Sequence, residues 1–364
     1  TTYKDKRRRG KDRAYLMQVF YSSKTNKHSP KSFISRGNLI QSPERAERAT
    51  ILKSAAEKAG HRIVEILPEK FQNTLDIHDE GYLRFLQSAW DQWSALDERS
   101  EEIIPNVHPG RNMSASPNAV VSAAGHYQAD TACPIGAGTW EGAKASADTV
   151  IAAATNLLKR YRDNEPEDFV YSLCRPPGHH AYADQAGGFC FLNNCAIAAD
   201  FFIKQGLEKV AILDVDVHHG NGTQGIFYER SDVLTVSLHG NPSEYYPFFA
   251  GYKDEAGIGR GTNFNINYPL SKNTGNADYM KVLKVALKQI EAFAPQVLII
   301  ALGLDASVED PLAYLSLTTE GFLVLGKLIS SAELPTLFVQ EGGYISPVLG
   351  ENLVATLKGF EDNR

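Results

Sequence analysis

The sequence predicts an α/β domain built on a parallel sheet, and three observations lead there. From residue 14 onward, strand-type apolar runs alternate with amphipathic helical stretches. The strand runs are near-continuously apolar, as expected where helices cover both faces of a sheet. The unusual polar residues fall directly after four of those runs, the carboxyl-end position where open α/β sheets form their sites. No linker, composition break or internal repeat divides the 364 residues, so they read as one domain (14–364) behind a basic tail (1–13).

The elements follow in order. Ala14–Tyr21 reads as the first strand. Ser42 as N-cap, with Pro43 at the first helical position, opens a helix to about Ala59, and Gly60 stops it. His61–Leu67 reads as a strand and Asn73–Leu96 as mostly helical. Residues 98–126 contain Pro105, Pro109, Gly110, Asn112 and Pro117 without a sustained period, which marks a long loop, functional or disordered. A helix from about Gly138 to Arg162 leads to strand Phe169–Cys174, helix Asn194–Gln205, and strands Lys209–Val217 and Val233–His239. Strand Phe264–Pro269, helix Asp278–Phe293 and strand Gln296–Leu304 continue the alternation. Helix Thr318–Ala332, strand Thr336–Gln340 and a helix from about Pro347 to Lys358 complete it.

Composition bounds the function. Hydrophobic residues make up 43% and charged residues 22%, and the formal charge of −6 gives no basic field for nucleic acid. Cys133, Cys174, Cys190 and Cys195 form no CxxC pair and read as buried thiols of a reducing compartment. No apolar run approaches the roughly 18 residues of a membrane span, and no secretory h-region opens the chain. A soluble, cytoplasmic protein is expected. The run Lys4–Arg13 reads as a solvated tail, with a nuclear-targeting or anionic-surface patch as the alternative.

The chemistry concentrates in Asp214-Val-Asp-Val-His-His-Gly-Asn-Gly-Thr223. Asp214, Asp216 and His218 stand at i, i+2 and i+4 after the run Val210–Leu213. In a strand they share one face, about 6–7 Å apart per step. Two carboxylates and an imidazole at a buried strand end are costly without a cation beside them. Oxygen and nitrogen ligands without thiolate suit a catalytic zinc or a related divalent ion. The plain alternative is a solvated strand end, which fits one Asp better than this cluster. Three further segments occupy the matching position: Arg175-Pro-Pro-Gly-His-His180, Gly303-Leu-Asp305 and Glu341-Gly-Gly-Tyr344.

Together with Ser42-Pro-Glu-Arg45 and Gly188-Phe-Cys-Phe-Leu-Asn-Asn194, these segments resemble the zinc-dependent deacetylase superfamily from about Phe20 to Phe360. That superfamily comprises histone deacetylases, their bacterial relatives and acetylpolyamine amidohydrolases. Gly138-Thr-Trp-Glu141, Cys174-Arg-Pro-Pro-Gly178, Ile226-Phe-Tyr-Glu-Arg230 and Leu238-His-Gly240 look most like the last group. The resemblance implies an arginase/deacetylase fold around a parallel sheet of about eight strands. It further implies zinc on Asp216, His218 and Asp305, and a proton-handling pair in His179 and His180. His179 is paired with Asp214 and His180 with Asn221, the latter position being Asp in many histone deacetylases. A neutral amide stabilises imidazolium less than a carboxylate does, so His180 is expected to be the base and His179 the histidine kept protonated. Tyr344 resembles the oxyanion-stabilising hydroxyl.

By the same resemblance Phe189 and Tyr246 line a tunnel, Gly187 and Gly188 let that loop approach the substrate chain, and Asp130 is an acidic rim residue that binds substrate. Asp214, Asp216, His218, Ser237 and Leu238 match an inner potassium site, largely through backbone carbonyls. The implied activity is an amidohydrolase that removes acetyl (acyl) groups from amines such as acetylpolyamines. The alternative is a protein deacetylase acting on acetyl-lysine. In the polyamine enzymes an inserted loop and dimerisation narrow the entrance; residues 98–126 stand where such a loop would, and a homodimer is the expected assembly. That loop offers mainly Asn, Ser, Ala and Val rather than an acidic pair. A catalytically silent binding protein fits less well, since the metal, base and Tyr positions are all filled. A dinuclear manganese hydrolase fits less well because His179, His180 and Asn221 stand where its second metal wants carboxylates.

Overall fold

The computed structural model describes residues 17–66, 75–115, 118–165 and 168–364. The basic run, the boundary near residue 13, residues 14–16 of the first expected strand and the segment 67–74 lie outside the described residues.

Eight strands form one sheet: β1 (Gln18–Tyr21), β4 (Arg62–Glu65), β5 (Phe169–Ser172), β6 (Val210–Asp214), β7 (Val233–Gly240), β8 (Asn265–Leu270), β9 (Val297–Leu302) and β10 (Thr336–Gln340). Their order is β4-β1-β5-β10-β9-β6-β7-β8, and every pairing is parallel. The remaining strands, β2 (Ser32–Ser35) and β3 (Asn38–Gln41), make an antiparallel hairpin outside the sheet.

The apolar strand runs serve two cores at once. In β9, Val297, Ile299 and Ala301 enter one buried cluster, while Leu298, Ile300 and Leu302 enter the other. Helices α4 (Thr139–Asp163) and α5 (Asn194–Lys204) cover the first face through Val150, Leu157 and Phe202. The second face is covered by α1 (Glu47–Lys58), α7 (Asn276–Phe293), α8 (Thr319–Ser330) and α9 (Leu349–Glu361), through Leu52, Leu283, Phe322 and Leu353. Burial on both faces is why these strands lack a polar alternation.

Several expected boundaries move. Helix α1 starts at Glu47 rather than beside Ser42, because Glu44 is drawn into a buried ion network and Ser42 Oγ accepts only from Glu44 N, at 3.3 Å. Helix α2 (Glu80–Ser94) begins where Asp79 accepts from Gly81 N and Tyr82 N. The long loop is not structureless. It contains α3 (Val120–Tyr127), and Ile103 bridges Ile135. Helix α6 (Asn221–Phe227) begins within the metal-type motif, at Asn221, where no helix was expected. No helix among the described residues is long and apolar enough to cross a membrane.

Candidate active site

The four site-bearing segments leave β5, β6, β9 and β10, which are contiguous at the centre of the sheet. Strand β6 ends at Asp214, so simple strand alternation does not place Asp216 and His218, contrary to expectation. Beyond Asp214 the chain turns through side-chain bonds: Asp216 N donates to Asp214 Oδ1 (3.1 Å), and His218 N donates to Asp216 Oδ1 (2.9 Å). Such Asx-type bonds let short acidic side chains shape the backbone that carries them.

Asp216, His218 and Asp305 come together in the buried interior, with one potential ligand atom from each lying within 4.8 Å of the others. His218 Nδ1 is 3.1 Å from Asp216 Oδ1 and 3.3 Å from Asp305 Oδ2. Asp305 Oδ1 accepts from Val217 N, but Oδ2 is buried with no hydrogen-bond partner among the described residues. Gly342 N donates to Asp216 Oδ2 at 2.8 Å, and a Cβ at Gly342 would lie 2.1 Å from Asp305 Oδ2, so only glycine lets this turn close on the cluster. An orphaned buried carboxylate oxygen beside a second carboxylate and an imidazole fits a divalent cation with oxygen and nitrogen ligands.

The electrostatics agree. Burial opposes charge on His218, yet Asp216 and Asp305 outweigh it and push its pKa up to about 9. Ligation through Nδ1 requires that proton to be given up, so metal uptake is expected to release it. Burial and the Asp216 charge raise the Asp305 carboxyl.

His179 and His180 lie beside this cluster, their ring centroids 4.0 Å apart. His179 Nδ1 meets Asp214 Oδ2 at 2.9 Å, and its Nε2 is 3.8 Å from Asp216. Burial works against its charge, but Asp216 and Asp214 raise its pKa well above the ordinary value. His180 Nδ1 meets the Asn221 Oδ1 amide oxygen at 2.6 Å. Burial, then the neighbouring His179 and His218, push it well below. The two rings are thus biased in opposite directions, His179 toward the charged form and His180 toward the neutral one.

Tyr344 is buried at 3% exposure. The Arg48 guanidinium sits 4.8 Å over its ring, and Tyr344 N donates to Asp310 Oδ2 at 2.7 Å. The Phe189 ring stands edge-on to Tyr344 at 5.7 Å, and the Tyr246 ring edge-on to His180 at 4.9 Å. Asp130 is bonded within the protein, to Tyr246, Gly188 and Ala132.

Asp214 and Ser237 are register partners on β6 and β7, and Leu238 follows on β7. His239 Nε2 donates to Gly251 O (2.8 Å), which leaves its Nδ1 to accept from Ser237 Oγ (2.7 Å). The Ser237 lone pairs are thereby free to accept, beside a cavity of about 10 Å³ lined by Asp214, Gly220 and Ser237.

Sequence reasoning missed the residues that hold these groups. Glu341 Oε2 accepts from Gly178 N (2.6 Å) and His179 N (3.0 Å), tying the Tyr344 turn to the tandem histidines. Arg48 donates to Gly343 O (2.5 Å) and Glu341 O (2.6 Å). Glu44, fully buried, pairs with both Arg48 (2.7 Å) and Arg175 (2.9 Å). The charges in Ser42-Pro-Glu-Arg-Ala-Glu-Arg48, ahead of an apolar helix face, were the available signal.

A doubly covered parallel sheet with two acids, one imidazole, a histidine pair and a tyrosine at its centre defines a class. The histone deacetylase domain model matches residues 40–360, and the chain belongs to that family of deacetylase hydrolases. It is 41% identical over 348 residues to acetylpolyamine amidohydrolase 2 of Pseudomonas aeruginosa, covering 95% of this chain and 99% of that one. It superposes on the crystal structure of acetylpolyamine aminohydrolase from Burkholderia pseudomallei with a TM-score of 0.90 at 38% identity, covering 96% of this chain and 100% of that one. The HDA15 HD domain shares the fold, with a TM-score of 0.77 at 24% identity over 96% of this chain and 90% of that one.

Proposed function

We propose that this enzyme hydrolyses the amide of small acetylated amines, acetylpolyamines among them. The observation that carries the reading is the buried Asp216–His218–Asp305 cluster, with its unpartnered Asp305 oxygen, beside His180 and Tyr344. Relatives that are 41% identical over nearly the whole chain and bear the name acetylpolyamine amidohydrolase support the substrate class. These three residues would hold zinc, which when bound supplies Lewis acidity for a carbonyl oxygen and favours ionisation of water.

The chain's own groups do the rest. His180, kept neutral and fixed through Nδ1 by Asn221, takes the proton of the attacking water at Nε2. His179, held protonated by Asp214, adds positive charge beside the developing oxyanion, and the Tyr344 phenol donates a hydrogen bond to it. When the carbon–nitrogen bond breaks, the amine leaves with the proton carried by His180. Potassium among Asp214, Asp216, His218, Ser237 and Leu238 would offset the buried carboxylates. A homodimer through the 98–126 segment is supported by the exposed Val107, Met113 and Val121.

Metal analysis of the wild type and Asp305→Ala, with turnover of N-acetylputrescine against an acetyl-lysine tetrapeptide, tests the reading. Stoichiometric zinc lost together with activity in Asp305→Ala, and faster turnover of the free diamine, are expected. Equal or faster peptide turnover would replace it with an acetyl-lysine protein deacetylase.

A further inference from the structure

Asp130 was expected to face substrate, but its carboxylate is committed to donors from three segments, with the Cys133 thiol a further weak one at 3.9 Å. Oδ1 accepts from Ala132 N at 2.8 Å, and Oδ2 accepts from the Tyr246 hydroxyl at 2.6 Å. Gly188 N lies 3.3 and 3.2 Å from the two oxygens. The same segment bonds again one residue on, where Phe189 N donates to Ala132 O at 3.1 Å. Residues 130–132 therefore hold the side chain of Tyr246, which stands against His180, and the backbone of Phe189, whose ring stands against Tyr344.

The held segment is strained. Gly188 and Phe189 are both in the left-handed region, at φ +49° and +69°. For a bulky residue such as Phe this conformation is strained and persists only where the surroundings over-determine it. A Cβ at Gly188 would lie 2.4 Å from His180 Cδ2 and 2.7 Å from Tyr246 Oη, so only glycine fits between the Tyr246 hydroxyl and the His180 ring. A tyrosine ring alone would supply apolar surface. Its hydroxyl adds a directional bond to a charged acceptor, roughly twice as strong as a neutral one.

We propose that the Tyr246–Asp130 hydrogen bond is a specificity-determining clasp. It fixes Tyr246 against the Gly188–Phe189 turn, admitting unbranched alkyl amides and rejecting those branched next to the amide nitrogen. The clasp rests on the amide-hydrolase reading above and deepens it. Asp130 thereby selects substrate through Tyr246 and Gly188 rather than by binding it.

Tyr246→Phe removes the hydroxyl and keeps the ring. The wild type and variant are compared by kcat/KM on N-acetylputrescine and on its analogue carrying a methyl branch on the carbon next to the acetylated nitrogen, with metal content measured in parallel. The expected result is a fall of tenfold or more in the linear-to-branched ratio at unchanged metal content. Asp130→Asn should shift the ratio in the same direction, and the double variant should add little. A ratio constant within twofold while both rates fall together overturns the clasp. If Asp130→Asn does not fold, Tyr246→Phe decides alone. Binding of a linear and an α-branched alkyl hydroxamate reads the same discrimination without turnover. An enzyme that hydrolyses no acetylated amine yet loses this discrimination in Tyr246→Phe would refute the reaction and keep the clasp.

Discussion

His180 gives its Nδ1 hydrogen bond to a neutral amide, Asn221 Oδ1 at 2.6 Å, while His179, next in the chain, meets the Asp214 carboxylate at 2.9 Å. Adjacent residues with the same ring are thus biased toward opposite protonation states by partners at the end of β6 and the start of α6. Burial and the neighbouring His179 lower His180, and Asn221 supplies no charge to offset them.

Asn221→Asp is expected to raise the basicity of His180. A stronger base stays protonated to higher pH, so the acidic limb of kcat/KM should move up by about 1 unit, the size of a close carboxylate's effect. Rates measured from pH 5 to 9 check this, and an unmoved limb would assign the base elsewhere.

Tyr344→Phe removes one donor aimed at developing charge. Loss of such a donor typically lowers kcat by roughly 100–1000-fold, and metal content should stay at the wild-type level. Steady-state kinetics with metal analysis separate the possibilities, since a change confined to KM would make Tyr344 a binding residue.

Glu44→Gln leaves the guanidinium groups of Arg48 and Arg175 buried without their shared carboxylate. Breaking a buried ion network by removing one partner typically costs about 3–5 kcal/mol. Urea denaturation should register that loss, with reduced kcat as well, because Arg48 also holds the carbonyls of Glu341 and Gly343. A loss under about 1 kcal/mol would show that the two arginines repartner.

Glu361, whose Oε1 accepts from Met17 N at 2.8 Å, is pushed up to about 7 by burial. The folded chain binds this proton more tightly than the unfolded one, so its contribution is full below about pH 4.5 and is lost as pH rises through 7. His61, 3.5 Å away, is lowered by burial and acts oppositely, favouring the folded state as pH rises through 6.5. In Glu361→Gln only the second remains, so stability should climb more steeply from pH 5 to 7 than in the wild type. Denaturation midpoints at pH 5, 6 and 7 test the sign, and parallel curves would place the titration of Glu361 outside that window.

The sheet was legible because β6, β9 and β10 are buried on both faces, which leaves an apolar run that no solvent-facing strand shows. The site was legible because its residues cluster within short segments at the ends of those strands. The hairpin β2–β3 was missed because its turn, Arg36–Gly37, reaches positive φ without an Asn-Gly signal. Helix α6 was hidden because Asn221 and Gly222 read as loop residues, although the turn after β6 supplies its start. Glu341 and Asp310 act by accepting backbone N–H bonds across |i−j| separations of 162 and 34 residues, and no local pattern encodes such a pairing.

Strands β5 and β6 follow one another along the chain, yet β10 and β9 stand between them in the sheet. The centre of the molecule is therefore closed by segments translated late. A nascent chain that has just completed β8 carries Asp216 and His218 but lacks Asp305, the Gly342 amide and Tyr344. Its β5 and β6 edges stand open until the final quarter of the polypeptide arrives, and pairing across so long a loop is slow. Capture of a metal by Asp216, His218 and Asp305 would thus wait for completion of synthesis, and a fragment ending at Leu270 should hold no stoichiometric metal however well its own strands form.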